Sequence, residues 1–435
     1  MQIRSAFIAV VAVVVLSTAV TRPTCAKDDL LETLAQKGVI TMAEYEKLKA
    51  QRKTEVTMTT DDGIKFTSAD NSTSSQFGTL QQFDAADYDE DNVKLSNGTD
   101  LRRSRFSING NFLTDWLYRV EYEFVNVSGI TDGYVAYTKY KPLTVWAGQF
   151  KQPFGMEAVA ADKGVTFMER GLPFGFVTTR APGLMLSSFG THWTAAGGFF
   201  GEPVGNTGTL PAGDEGWGLV GRVTYAPFSQ DNHVVHFGLG YVYREPTQDN
   251  STNVTGQRFR TVRIRTKPES NVLAQRFIDT GEIFDVNSYT IGGVELGMQW
   301  NALSLQSEYQ WVDVDRQIGN SLTFGGWYSQ LAYTLTGEPR PYKTDRGIFD
   351  GVRPNHNFGA DGWGAFEIAF RLSEMDLNDG NINGGDERNA TYALNWYLNQ
   401  FLRASFNVID VLDVDGGAFN GEEPMIYQMR LQLAL

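Results

Sequence analysis

The chain ends in eleven residues whose side chains alternate in character up to the last position. One parity holds Met425, Tyr427, Met429, Leu431, Leu433 and Leu435, and the other holds Ile426, Gln428, Arg430, Gln432 and Ala434. The stretch WLYRVEYEF, residues 116 to 124, has the same period of two, with apolar side chains at its even positions. Successive side chains of a strand point to opposite faces, so both stretches predict strands with one apolar face. Beyond residue 26 no apolar run reaches 18 residues. The pattern therefore predicts a membrane-spanning β-barrel rather than membrane helices.

Composition agrees with many strands joined by turns. The chain has 28 Phe, 18 Tyr, 9 Trp and 45 Gly, which suits strands and tight turns, and its one Cys excludes a disulfide framework. Segments of period two recur through the chain, and dividing the 382 residues after position 53 by roughly 24 residues per strand and connection gives about 16 strands. The predicted fold is all-β, a transmembrane antiparallel barrel of about 16 strands.

The first 53 residues differ from the rest. Residues 1–26 combine Arg4, a short apolar run and a small residue at position 26, which is typical of a secretory signal peptide. A membrane anchor is the alternative, but the run is short for a span. Residues 27–53 predict a short helical segment, in which Thr41 and Glu44 have the spacing of a capping box. The barrel is then expected over residues 54–435 of an exported protein.

Charge is distributed unevenly along the chain. The net charge of −14 argues against nucleic acid as a partner, yet residues 257–267 read QRFRTVRIRTK. Five cations there are candidate pore-lining residues: Arg258, Arg260, Arg263, Arg265 and Lys267. In a regular strand they would divide between two faces. A β-bulge at Thr261 and Val262, or an extended loop that enters the barrel, would let all five face water. The alternative is an exposed loop that binds lipopolysaccharide phosphates or is simply solvated.

Three further cations complete the candidate set. In RRSRF, residues 102–106, strand alternation puts Arg103 and Arg105 on one face and Arg102 on the other. Arg103 and Arg105 are therefore expected in the pore, whereas Arg102 is not. Lys151 follows a strand that ends in GQF, where a loop begins.

Five motifs resemble the phosphate-selective porins O and P of Gram-negative outer membranes. They are WAGQFKQPFGMEA (146–158), FMERGLP (167–173), GGWYSQLAYTLTGEPRPY (325–342), GWGAFEIAFRLSEMDLND (362–379) and NATYALNWYLNQFLRASFN (389–407). The resemblance implies a homotrimer of 16-stranded barrels in contact with outer-membrane lipid and lipopolysaccharide. It also implies an inward-folded loop around residues 151–180 and passive uptake of small anions such as phosphate. Members of the family guide anions along an arginine ladder, which RFRTVRIRTKPES resembles.

Other functions on the same scaffold stay open at this point. A general or cation-selective porin would differ only in which side chains line the pore. An outer-membrane barrel enzyme is disfavoured because the chain has four His and neither a GxSxG nor an HExxH motif. No cofactor or metal is expected, since the acidic stretches lack the spacing of an EF-hand loop.

Overall fold

A computed structural model describes residues 34–35, 37–52, 56–60, 63–126, 128–203, 214–230, 232–252 and 258–435. The predicted signal peptide, residues 1–26, and the start of the predicted helical segment lie outside the described residues. The chain divides into two compact units, one of Met1–Thr57 and Ser68–Asp70 and one of Met58–Thr67 and Asn71–Leu435.

The first unit contains helix α1, Met42–Arg52. The Thr41 hydroxyl accepts the Glu44 N–H at 3.2 Å, and the Glu44 carboxylate accepts the Thr41 N–H at 2.9 Å. This is the capping box that the sequence predicts, and it satisfies donors that the first helical turn leaves free. Among the residues that the model describes, no helix has the length and apolar character needed to cross a membrane.

The described residues of the second unit include sixteen long antiparallel strands. They are β1 Ser74–Asp89, β2 Gly98–Phe112, β3 Trp116–Glu123, β4 Gly129–Tyr137, β5 Thr144–Lys151, β6 Arg180–Phe189, β7 Trp193–Phe200, β8 Trp217–Gln230, β9 His233–Glu245, β10 Val286–Trp300, β11 Leu303–Arg316, β12 Leu322–Thr334, β13 Ala365–Asp379, β14 Ile382–Tyr397, β15 Leu402–Asp415 and β16 Met425–Ala434. Each strand pairs with the next, and β16 pairs with β1 from Met425 opposite Asp89 to Ala434 opposite Leu80. The sheet closes on itself, which confirms the predicted 16-stranded barrel.

Shorter elements accompany the barrel. They are the strands Val56–Thr59, Ile64–Ser68, Gln248–Thr252, Arg258–Arg260, Arg265–Thr266, Ile278–Asp279, Tyr342–Lys343 and Ile348–Phe349, the helix α2 Met156–Val159 and the 3-10 helix Leu172–Phe176.

The two faces of the wall differ as the period of two predicts. On β16 the side chain of Leu431 is 52% exposed, whereas that of Arg430 is buried. On β3 Val120 is likewise exposed and Glu121 is buried. The outer face is therefore apolar and suited to lipid, and most polar side chains of the strands point inward.

The connections at the two ends of the barrel differ in length. At one end most are short turns, such as residues 113–115 and 301–302. The opposite end carries two long connections, which we call the inner loop, residues 152–179, and the β9–β10 connection, residues 246–285. One long connection, residues 335–364, starts instead from the short-turn end; we call it the hairpin segment. All three contact inward-facing side chains of the wall, and these contacts determine what fills the interior.

Candidate functional site

The β9–β10 connection contains a basic segment, residues 258–276. Its middle is fixed at Glu269, whose carboxylate accepts hydrogen bonds from inward-facing side chains of two strands, including Arg371 on β13 and, at 2.6 Å, Thr391 on β14. Glu269 and Arg371 are each 1% exposed at the side chain. The segment therefore leaves the wall at β9 and extends through the interior of the barrel to β13 and β14.

More contacts reach the opposite side of the barrel. Gln428 on β16 donates a hydrogen bond to the Glu269 carbonyl at 3.1 Å, and the hydroxyls of Tyr88 on β1 and Ser270 lie 2.7 Å apart. Glu269 also adopts a φ of 51°, a left-handed conformation that costs a non-glycine residue roughly 1–3 kcal/mol. Its hydrogen bonds offset that strain. These contacts place the basic segment inside the barrel and not on an exposed outer loop.

Side chains in the centre of the basic segment alternate in burial. Arg263 and Arg265 are exposed, whereas Ile264 between them is buried in the apolar cluster that contains Phe150 and Leu172. The buried isoleucine fixes the orientation of its two neighbours, since side chains on either side of it must point the other way. Both side chains therefore point away from that apolar cluster, and Arg263 donates two hydrogen bonds to Asp279, at 2.7 and 2.6 Å.

One further cation of the same segment, Lys267, is partly buried. Lys267 donates from its Nζ to the Asn271 carbonyl at 3.0 Å and is half-buried. Burial, followed by the like charges of Arg276 and Arg102, lowers the pKa of Lys267 below its ordinary value, while Glu169 opposes this effect.

The basic segment begins with a short strand that carries two of the candidate arginines. The short strand Arg258–Arg260 pairs with Gln248–Thr252, and the side chain of Arg258 lies outside the described residues. Arg260 Nη2 lies 3.3 Å from a carboxylate oxygen of Glu245 on β9. The Arg260 guanidinium is therefore already paired with an acid.

The RRSRF cluster corrects one expectation from the sequence. A β-bulge at this point pairs Gln82 with Arg103 and Phe83 with Leu101, so Arg102 is the extra residue. Its guanidinium points inward and donates two hydrogen bonds to Glu169 of the inner loop, at 2.8 and 3.0 Å. The prediction that Arg102 opposes Arg103 and Arg105 was wrong, because strict alternation fails at a bulge.

Arg103 and Arg105 also point inward, but both are engaged in ion pairs. Arg105 Nε lies 2.7 Å from Glu123, and its Nη1 contacts Asp162 of the inner loop. Arg103 donates to Gln82 at 2.6 Å and lies 3.7 Å from the same Asp162. Both arginines therefore hold the inner loop to the wall, and a direct contact with a passing anion stays a prediction.

The inner loop carries two carboxylates that lie among these arginines. Glu169 accepts hydrogen bonds from Arg102 and, at 2.7 Å, from Arg430 on β16. Burial would raise the pKa of Glu169, but the charges of Arg102, Arg103 and Arg430 hold it well below its ordinary value. Glu169 therefore links the inner loop to Arg102 on β2 and to Arg430 on β16. It belongs to the FMERGLP motif, which is the sequence signal that could have identified it.

Lys151 lies at the end of β5 where the inner loop begins. Its Nζ donates hydrogen bonds to the backbone carbonyl of Ala158, at 2.8 Å, and to that of Ala160. The ammonium thus caps α2 from its C-terminal side and fixes the loop, which leaves its predicted role in the pore a prediction.

The hairpin segment enters the barrel from the opposite end, a feature that no sequence pattern predicted. Arg340 forms an ion pair with Glu367 on β13 at 2.6 Å and donates to the Gly164 carbonyl of the inner loop at 3.3 Å. The Arg222 guanidinium on β8 holds the Gly347 carbonyl at 2.7 Å. The hairpin segment and the inner loop therefore meet inside the barrel and narrow it from both ends.

The resulting interior has two kinds of cation. Those of the wall, such as Arg103 and Arg105, are buried against carboxylates. Those of the basic segment, Arg263, Arg265 and Lys267, are partly or largely exposed to the open space. Guanidinium groups present forked donors that match the oxygens of a phosphate, so the Arg265 side chain suits transient binding of oxyanions. Arg263 already donates two hydrogen bonds to Asp279.

Comparison with known proteins identifies relatives over most of the chain. The sequence profile of a family described as phosphate-selective porin O and P matches residues 77–435. A protein named Porin O from Pseudomonas aeruginosa is 24% identical over 388 residues, which cover 81% of this chain and 86% of that protein. An uncharacterized protein from Caulobacter vibrioides is 28% identical over 330 residues, which cover 74% of this chain and 64% of that one.

Solved structures share the fold at low sequence identity. An anion-selective porin from Comamonas acidovorans is 12% identical with a TM-score of 0.52, covering 83% of this chain and all of that one. The outer membrane channel DcaP of Acinetobacter baumannii is 8% identical with a TM-score of 0.51, covering 83% of this chain and 97% of that one. At these identities the likeness establishes the barrel fold alone.

Proposed function

Because this chain belongs to the phosphate-selective porin O and P family, we propose that it is an outer-membrane channel for the passive diffusion of anions, phosphate and related oxyanions in particular. The observation that carries the proposal is the course of the basic segment, which Glu269 fixes across the interior with Arg263, Arg265 and Lys267 on its open side. In a confined space the screening of these charges is weaker than in bulk water.

The same proposal covers the surroundings of the channel. The apolar outer wall suits outer-membrane lipid, and the end from which the inner loop and the β9–β10 connection start is expected to be extracellular, beside lipopolysaccharide. Assembly as a homotrimer is part of the proposal. A passive channel needs no reacting group, so the proposed role is transport and not catalysis.

A cation-selective or general porin is the alternative that the interior carboxylates make worth testing. Asp132, Glu121 and Asp162 all lie on or near the inner face, each within 4.0 Å of an arginine. If these pairs leave a net negative path, cations would pass preferentially.

Reversal potentials in planar bilayers distinguish the two functions. In a KCl gradient the proposed channel should pass chloride over potassium, and millimolar phosphate should reduce the chloride current. Replacing both Arg263 and Arg265 by Ala should lower the anion preference and weaken the phosphate block. Heat-modifiable migration in detergent should stay normal, because both side chains face water. A cation preference in the unmodified channel would refute the proposal.

A further inference from the structure

One carboxylate lies among the exposed cations of the basic segment. Asp279 belongs to the short strand Ile278–Asp279, in which its backbone is paired with that of Arg265. Its carboxylate accepts two hydrogen bonds from the Arg263 guanidinium, from Nε at 2.7 Å and from Nη2 at 2.6 Å. The Gly281 N–H donates a further bond to the same carboxylate at 2.9 Å. The fork of Arg263 is therefore already occupied by a resident anionic group.

The charges around Asp279 form one coupled cluster. Partial burial would raise the pKa of Asp279, but the hydrogen bonds from Arg263 and Gly281, together with the charges of Arg263 and Arg265, lower it below its ordinary value. Partial burial and the like charges of Arg265 and Arg263 lower the pKa of Arg276, while Asp279 opposes this effect. Arg263, Arg265 and Arg276, taken with Asp279 and with Glu282, which lies within 4.0 Å of Arg263, carry a net charge of +1, which would be +2 without Asp279.

This pair differs from the acid–base pairs that hold the inner loop. The side chains of Arg263 and Asp279 are 39% and 24% exposed, whereas those of Arg430 and Glu169 are 0% and 14% exposed. A pair accessible to water contributes little to stability, because solvent screens it. The segment is fixed by Glu269 and by the buried Ile264, and not by this pair. The Arg263–Asp279 pair can therefore be changed without releasing the segment.

We propose that Asp279 sets the strength of the anion preference by occupying the Arg263 guanidinium and reducing the charge of the cluster that permeating ions meet. This inference rests on the proposed function. The carboxylate occupies the fork that an oxyanion would otherwise fill, so each passing anion must compete with it. Asp279 thereby prevents tight retention of multiply charged anions and favours their release.

Removing the charge of Asp279 should strengthen the anion preference measurably. A unit charge roughly 7 Å from a permeating ion changes its energy by about RT in water, with opposite sign for chloride and potassium, which corresponds to about a sevenfold change in the chloride-to-potassium permeability ratio. Asp279→Asn should raise that ratio by this factor and should strengthen the phosphate block by a larger factor, because phosphate carries more charge and gains the freed fork. Release of phosphate should slow accordingly.

A matched set of variants tests the inference in planar bilayers. Glu282→Gln removes the same charge, but Glu282 lies 3.8 Å from Arg263 and does not occupy its fork, so its phosphate block should change less than that of Asp279→Asn. The double variant Arg263→Ala, Asp279→Asn restores the net charge of +1 and should return to nearly the original permeability ratio. Asp279→Ser gives a second neutral variant if Asn impairs assembly.

The outcomes separate this inference from the proposed function. A phosphate block in Asp279→Asn and Asp279→Ser that is no stronger than in Glu282→Gln would overturn the role of Asp279, even if the unmodified channel prefers anions. A cation preference in the unmodified channel would instead overturn the proposed function. In that case a shift toward anions in Asp279→Asn, absent in Glu282→Gln, would still support Asp279 as a determinant of selectivity.

Discussion

Replacing Glu269 by Ala should release the basic segment from the opposite wall while the barrel still assembles. The Glu269 carboxylate is the buried acceptor for Arg371 and Thr391, and its loss leaves the Arg371 guanidinium without that partner. Glu157 lies 3.6 Å from Arg371 and remains. The wall strands keep their backbone pairing in the variant, so only the segment should come loose.

The free energy that docking of the segment loses follows from the burial of the Glu269–Arg371 pair. Removing one partner of a buried ion pair costs about 3–5 kcal/mol, and the remaining Glu157 favours the lower end of that range. A loss of about 3 kcal/mol lowers the ratio of docked to undocked segment by about two orders of magnitude. Glu269→Gln keeps hydrogen-bonding atoms but loses the charge, and charge-assisted bonds are about twice as strong as neutral ones. It should therefore lose about half as much free energy.

Single-channel recording and limited proteolysis together provide the assay. Glu269→Ala should raise the conductance, lower the anion preference and expose the segment to trypsin, with Glu269→Gln in between. Glu387→Gln is the matched control, since Glu387 is also a buried inward carboxylate but hydrogen-bonds to Asn389 and not to the basic segment. Unchanged conductance and trypsin resistance in Glu269→Ala, with normal assembly, would refute the idea that Glu269 fixes the segment.

Two further predictions concern the wall and the pH response. Leu431→Asp should impair assembly more than Gln432→Asp, measured as the heat-modifiable fraction. A carboxylate at position 431 would face lipid, at a cost of up to about 2 kcal/mol, whereas Gln432 faces inward beside Arg403. Equal assembly of the two variants would contradict the assignment of faces. Since the pKa of Lys267 is lowered and arginines stay charged, the anion preference should fall on alkaline titration at a lower pH than an ordinary lysine with a pKa of about 10.4 would cause. Lys267→Met should abolish this pH-dependent step in the reversal potential, and a step that persists would assign it to another group.

The wall of this protein could be predicted because its determinant is local. A strand with lipid on one side and polar contacts on the other must alternate, so WLYRVEYEF and the last eleven residues define their faces without reference to the rest of the chain. The same rule failed at RRSRF, since one additional residue in the strand reverses the parity beyond it. Nothing in those five letters distinguishes a bulge from a regular strand.

The filling of the interior was harder to predict, since it depends on partners distant in sequence. Glu269 and Arg371 are separated by 102 positions, and Arg430 and Glu169 by 261. A local reading can count the cations in RFRTVRIRTK, but it cannot determine which of them find a carboxylate. The position of the hairpin segment was equally hard to predict, because it depends on contacts with Arg222 and Glu367 of the wall.

The ion pairs of Arg430 have a consequence for the order in which the molecule is assembled. Arg430 lies on β16, which closes the barrel against β1, and its guanidinium contacts both Asp84 of β1 and Glu169 of the inner loop. Until that strand is in place, Glu169 lacks one of its arginines and the ring has an open edge. Closure of the wall and immobilisation of the inner loop are therefore completed in a single event, so a barrel that has not sealed also has a mobile interior.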